Sequence, residues 1–128
     1  MPFIVWDDSL DLHIDAMNEE HKVLIDLMNR LHEQFQSQNA KLTLKATLLE
    51  FASYTEKHFQ DEEAYMQSID FQDLDVHRSI HQRLLSRVKT YVEEFLQTDG
   101  TLSPEFFEFL KIWVVAHIKG IDAKYAAA

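Results

Sequence analysis

The chain has 128 residues, enough for one compact core and too few for two. Its formal charge of −10 disfavours wrapping a nucleic-acid backbone or docking on an anionic membrane, since both need a basic face. Cys is absent, which excludes disulfides and thiolate chemistry and leaves any bound metal to nitrogen and oxygen ligands.

Nearly half the residues are apolar, with only two Gly and two Pro, a composition that favours long uninterrupted helices. No apolar run is long enough to span a bilayer. The start, Met1-Pro2-Phe3-Ile4-Val5-Trp6-Asp7-Asp8, lacks the basic and apolar stretches of a secretory signal, so a cytoplasmic location is expected.

Residues 1–14 read as an irregular apolar arm, after which Asp15 or Asn18 can cap a first helix running to about Gln36. Its stripe of Leu24, Leu27 or Met28, Leu31 and Phe35 extends backwards to His21. A second helix is predicted over about 41–67, with Leu44, Leu48, Phe51, Thr55, His58, Glu62 and Met66 on its inner face. A turn at 70–73 precedes a third helix to about Gln97, with stripe Leu74, His77, His81, Leu84, Val88, Tyr91 and Phe95. Ser103-Pro104-Glu105 opens a fourth through a capping hydroxyl, a proline at the first helical position and an early acid. Its stripe is Phe106, Leu110, Trp113 and His117. Short connections make neighbours antiparallel, so the expected fold is all-α: one domain over 1–128, an up-down-up-down four-helix bundle with an irregular N-terminal arm.

Five of the seven histidines and Glu62 occupy positions where the stripes otherwise carry Leu, Phe or Val, and Asp122 lies one turn further on. Unpartnered burial of that many polar groups would cost on the order of several kcal/mol for each ionised one. Imidazoles and carboxylates converging from four helices are the donor set of a dinuclear metal site. His58 and Glu62 are four apart, as are His77 and His81, so each pair lies within about 40° and about 6 Å on its helix. His117 and Asp122 are five apart, about 140° around a regular helix. A local π-bulge would bring them together, and Gly120 can ease one. His32 shares the azimuth of His21 but lies about 16 Å further along, so it reads as a half-exposed helix residue, and His13 as part of the arm. Glu19, Glu20, Asp61, Glu63, Glu93 and Glu94 read as a solvated face, with Glu63 pointing away from the site.

The order Glu19-Glu20-His21-Lys22, His58-Phe59-Gln60-Asp61-Glu62-Glu63, His77-x-x-x-His81 and His117-Ile118-x-x-x-Asp122 resembles the bacterial hemerythrin family over nearly the whole chain, with Trp6 and Trp113 included. Glu20 stands where that family often has Gln, and His13 where a small or apolar residue is common. The resemblance implies two iron ions joined by an oxo or hydroxo bridge: His77, His81 and His117 on one, His21 and His58 on the other, Glu62 and Asp122 on both. It also implies that the iron with two histidines carries the open position and that O2 binds there reversibly, without enzymatic turnover.

Two settings for such a site stay open: a carrier or store of O2, and an O2 or redox sensor with a fused or partner signalling domain. A ferritin-like carboxylate oxidase is disfavoured, because no His here has a Glu three residues before it. A peroxidase or hydrolase lacks any acid/base set beyond the ligands.

Overall fold

A computed structural model describes residues 3–128. Four long helices follow the predicted stripes: α1 (Asp15–Gln36), α2 (Lys41–Ser68), α3 (Leu74–Leu96) and α4 (Pro104–His117). A π-helical turn, Ile118–Asp122, leads from α4 into a last short helix, α5 (Ala123–Ala126). Together they form a four-helix bundle in which α2 packs on α1 and α3, and α4 closes against α1. No helix among the described residues is long and apolar enough to cross a membrane.

The stripes bury what their spacing demands. Leu24, Met28 and Leu31 of α1, Leu44, Leu48 and Phe51 of α2, Val88 and Phe95 of α3, and Phe106 and Leu110 of α4 are all 0–2% exposed. Thr55, polar but fully buried, satisfies its hydroxyl within its own helix by donating to the Phe51 carbonyl at 2.8 Å. Ser103 caps α4 as predicted, its hydroxyl accepting from the Phe106 amide at 3.2 Å.

The start of α1 differs from the sequence expectation. Neither Asp15 nor Asn18 caps it; Ile14 occupies the cap position with no side-chain bond. The arm folds back across the helix start, and Asn18 serves the arm instead, accepting from the Leu12 amide at 3.0 Å and donating to Asp11 at 2.8 Å. A second clamp joins the arm to the middle of α1, where Asn29 pairs with the amide and carbonyl of Ile4 at 2.7 and 2.8 Å. Phe3 stacks on His32 at 4.4 Å, so this histidine packs the arm far from the other inward ones. The first two residues of the predicted arm lie outside the described residues. His13 is exposed, in a left-handed turn before α1.

Candidate metal centre

All seven polar residues singled out by the stripes meet at one end of the bundle. His21 comes from α1, His58 and Glu62 from α2, His77 and His81 from α3, His117 from the end of α4 and Asp122 from the π turn. None is more than 7% exposed, and both carboxylates are fully buried. The i,i+4 spacing on α2 and α3 stacks each pair on the inner face by ordinary helical geometry. His117 and Asp122 need the π turn, whose extra residue per turn brings positions five apart into register and sets His117 Nε2 3.0 Å from Asp122 Oδ1. Gly120 is not what permits this turn. Its backbone is not left-handed, and an added Cβ would meet nothing within 4 Å.

The donor atoms divide into two groups. Those of Glu62, His77, His81, His117 and Asp122 lie within 4.8 Å of one another, as do those of His21, His58 and Glu62. Glu62 spans the division: Oε1 sits 2.9 Å from His81 Nε2 and 3.6 Å from His77 Nε2, while Oε2 sits 3.2 Å from His21 Nε2 and 3.3 Å from His58 Nε2. Asp122 does the same, with Oδ1 3.0 Å from His77 Nε2 and Oδ2 3.2 Å from His21 Nε2.

These contacts do not amount to a closed hydrogen-bond network. Glu62 Oε1, both oxygens of Asp122, and Nε2 of His77, His81 and His117 are buried without a hydrogen-bond partner. Lone pairs converging at such distances repel unless a proton or a cation lies among them. Burial opposes charge on His58, yet its bonds to Glu20 and Glu62 outweigh that and push its pKa up to about 10. His77 is pushed up to about 9, where the nearby Asp122 and Glu62 carboxylates overcome burial. Burial raises Glu62, but four histidines hold it well below the usual carboxylate range. Two buried anions thus demand positive charge, and five imidazoles with two carboxylates are a donor set that two divalent cations satisfy.

A sequence model of the hemerythrin HHE cation binding domain matches residues 12–128. The chain belongs to the hemerythrin family. It is 30% identical to a bacteriohemerythrin of Stenotrophomonas maltophilia (strain R551-3) over 98% of this chain and 81% of that protein. It is 32% identical to a myohemerythrin of Riftia pachyptila, covering 94% of this chain and 89% of the relative. A crystal structure of a hemerythrin variant superposes with a TM-score of 0.90 over 99% of this chain and 97% of its own, at 23% identity, a likeness of fold.

Around the hemerythrin-type cluster stand three residues that the sequence reading missed or misplaced. Glu20 and Glu63 do not belong to a solvated face. Glu20 Oε1 accepts from His58 Nδ1 at 2.7 Å, and Glu63 Oε2 accepts from His81 Nδ1 at 2.9 Å. Each lies beside the buried stripe, and the flanks of a stripe face the neighbouring helix of a bundle, which is the signal that could have found them. Tyr125, fully buried on α5, donates its hydroxyl to Glu62 Oε2 at 2.8 Å. Burial and the charge of Glu62 push its phenol above the ordinary range, so it stays a donor.

Beside His21, His58, His117 and Asp122 lies a cavity of about 10 Å³ walled by Phe59, Trp113, Val114 and Ile118. Trp113 also borders a cavity of about 390 Å³ between α3 and α4, lined by Leu84, Arg87, Phe109 and Ile112.

Proposed function

We propose that this hemerythrin-family chain binds O2 reversibly at a pair of iron ions held by His21, His58, Glu62, His77, His81, His117 and Asp122. The observation that carries the reading is the convergence of buried, hydrogen-bond-orphaned donor atoms from four helices on one point. Iron would supply the electrons that make O2 binding reversible. The protein's part is to hold the donors and to keep water out.

The division of donors bears on where a small ligand fits. Counting both carboxylates on each side, three histidines make five protein donors on one side and two histidines make four on the other. The cavity is lined by both histidines of the side with four, His21 and His58, and also by His117 and Asp122. Its volume is about that of a single water-sized probe, the smallest that holds one water molecule. Phe59, Trp113 and Ile118 line it with hydrocarbon, which suits an apolar diatomic and leaves no room for an organic substrate. We therefore read the chain as a binding protein, either a carrier or store of O2 or the sensing part of a signalling assembly, and not as an enzyme.

Metal analysis with an absorption spectrum taken before and after O2 tests this directly. The expected result is two irons per chain and an absorption band that appears with O2 and leaves with its removal. A reproducible single zinc with no response to O2 would overturn the reading.

A further inference from the structure

His58 and His81 are the two cluster histidines whose Nδ1 meets a carboxylate, one in each donor group. A carboxylate on the outer nitrogen fixes the tautomer and ring orientation and makes the inner nitrogen a stronger donor. How much charge the carboxylate keeps for its histidine depends on what else it touches.

Glu63 shares its charge with a cation. Its Oε1 accepts directly from Arg78 Nε at 3.1 Å, a charge-assisted bond. Asp75, the competing acid for Arg78, is 3.5 Å away and 96% exposed. Glu20 is placed differently. The nearest ammonium, Lys57 Nζ, stands 3.7 Å from Glu20 Oε2, outside hydrogen-bond length, and donates instead to Asp61 at 2.8 Å. Glu20 is also the less exposed of the two, 16% against 21%. The two backing carboxylates therefore differ in kind: Glu63 is bonded directly by a guanidinium, whereas Glu20 has an ammonium at 3.7 Å and the Asp61 carboxyl beside it, with no direct cationic bond.

The His58 side is also where Tyr125 draws charge from Glu62 by donating to Oε2. Glu20 offsets that withdrawal on the same side of the centre, through its bond to His58.

Resting on the di-iron reading above, we propose that Glu20 is the residue that electron-enriches the two-histidine metal position through His58, whereas Glu63, matched by Arg78, acts mainly to orient His81. Glu20 is on this view a positioning residue that also sets how readily that position gives up an electron.

The test uses the full chain, with Glu20→Gln and Glu63→Gln, each of which keeps an acceptor oxygen and removes the charge. Two readouts apply: Co(II) titration of the iron-free protein, followed by its visible absorption, and the midpoint potential of the iron-loaded protein. Glu20→Gln is expected to weaken the weaker Co(II) step about tenfold, the lower end for loss of such an outer partner, and to raise the potential. Glu63→Gln should change that affinity by less than about threefold, since Arg78 already withdraws its charge. Lys57→Met and Arg78→Met cover the case in which Glu20→Gln loses its iron, because they leave both Glu–His bonds in place. Arg78→Met should lower the potential more than Lys57→Met, as it unmasks a carboxylate that was directly bonded. Equal effects of the two Gln variants, or of the two Met variants, overturn the proposal alone if the parent holds two irons and responds to O2. A parent without that iron pair overturns the di-iron reading and the proposal together.

Discussion

The two ends of this bundle are built from the same four stripes and bury opposite things. At one end Leu31, Leu44, Leu48, Val88, Phe95, Phe106 and Leu110 pack hydrocarbon against hydrocarbon, with Thr47 the one buried polar residue on these stretches of helix. At the other, five histidines and two carboxylates occupy the equivalent inward positions, at equal burial. The dry end holds itself together by packing. The polar end is locally frustrated, with six orphaned donor atoms that only protons or cations relieve. A binding site of this kind draws on the dry end as its scaffold, because the unpaired polar atoms at the other end oppose folding until a ligand arrives.

The sharpest way to break the comparison is Glu62→Ala. Glu62 faces both donor groups, so the variant should lose nearly all bound metal, while His32→Ala, at the arm contact, keeps it. Metal content per chain decides, and equal losses would show that the centre lies elsewhere. At the dry end, Phe95→Ala should cost about 3–5 kcal/mol through the cavity it leaves. Denaturant titration measures that cost, and metal stoichiometry of the folded fraction should be unchanged. If metal is lost in parallel, the two ends are not separable.

Proton competition sharpens the picture of the polar end. His58 and His77, pushed up to about 10 and about 9, carry protons at pH 7 in the metal-free protein, and a metal must displace them. Affinity is therefore low below these values, rises with pH and levels off once the groups are already neutral. About two protons should be released per chain on metal uptake at pH 7, an amount read from calorimetry in two buffers of different ionisation heat. Release of none would mean that the histidines are neutral without metal.

Smaller effects follow from the supporting residues. Tyr125→Phe removes one hydrogen bond to a buried carboxylate and should cost about 1.5–3 kcal/mol of metal-loaded stability. Gly120→Ala should change stability least. Its site is exposed and open, so the substitution should be neutral or stabilise by up to about 1 kcal/mol, the difference in helix propensity, in a thermal melt. Loss of metal from that variant would show that the π turn does depend on glycine.

Much of the site was legible because its signal is local. A histidine or glutamate in place of Leu at i+3 or i+4 is visible within one helical turn, and this located His21, His58, Glu62, His77, His81 and His117. Asp122 was legible only with a π turn assumed, since regular helical geometry turns it away from His117. The arm was seen, but not that Asn18 and Asn29 would bond to it in place of capping or facing solvent.

What the sequence alone determined was the periodicity: four amphipathic helices, their turns, and the polar interruptions of their inner faces. The tertiary structure decided which flanking residues serve those interruptions. Glu63 reaches a partner 18 residues away, Glu20 one 38 away and Tyr125 one 63 away. A place beside the stripe marks Glu20 and Glu63 as facing a neighbour, but no pattern along a helix names the partner, because helical periodicity reports only the direction of a side chain about its own axis. Whether a carboxylate beside the stripe meets water or a neighbour's imidazole depends on how closely the next helix packs and at what height. That is set by how the side chains of neighbouring helices pack along their whole length.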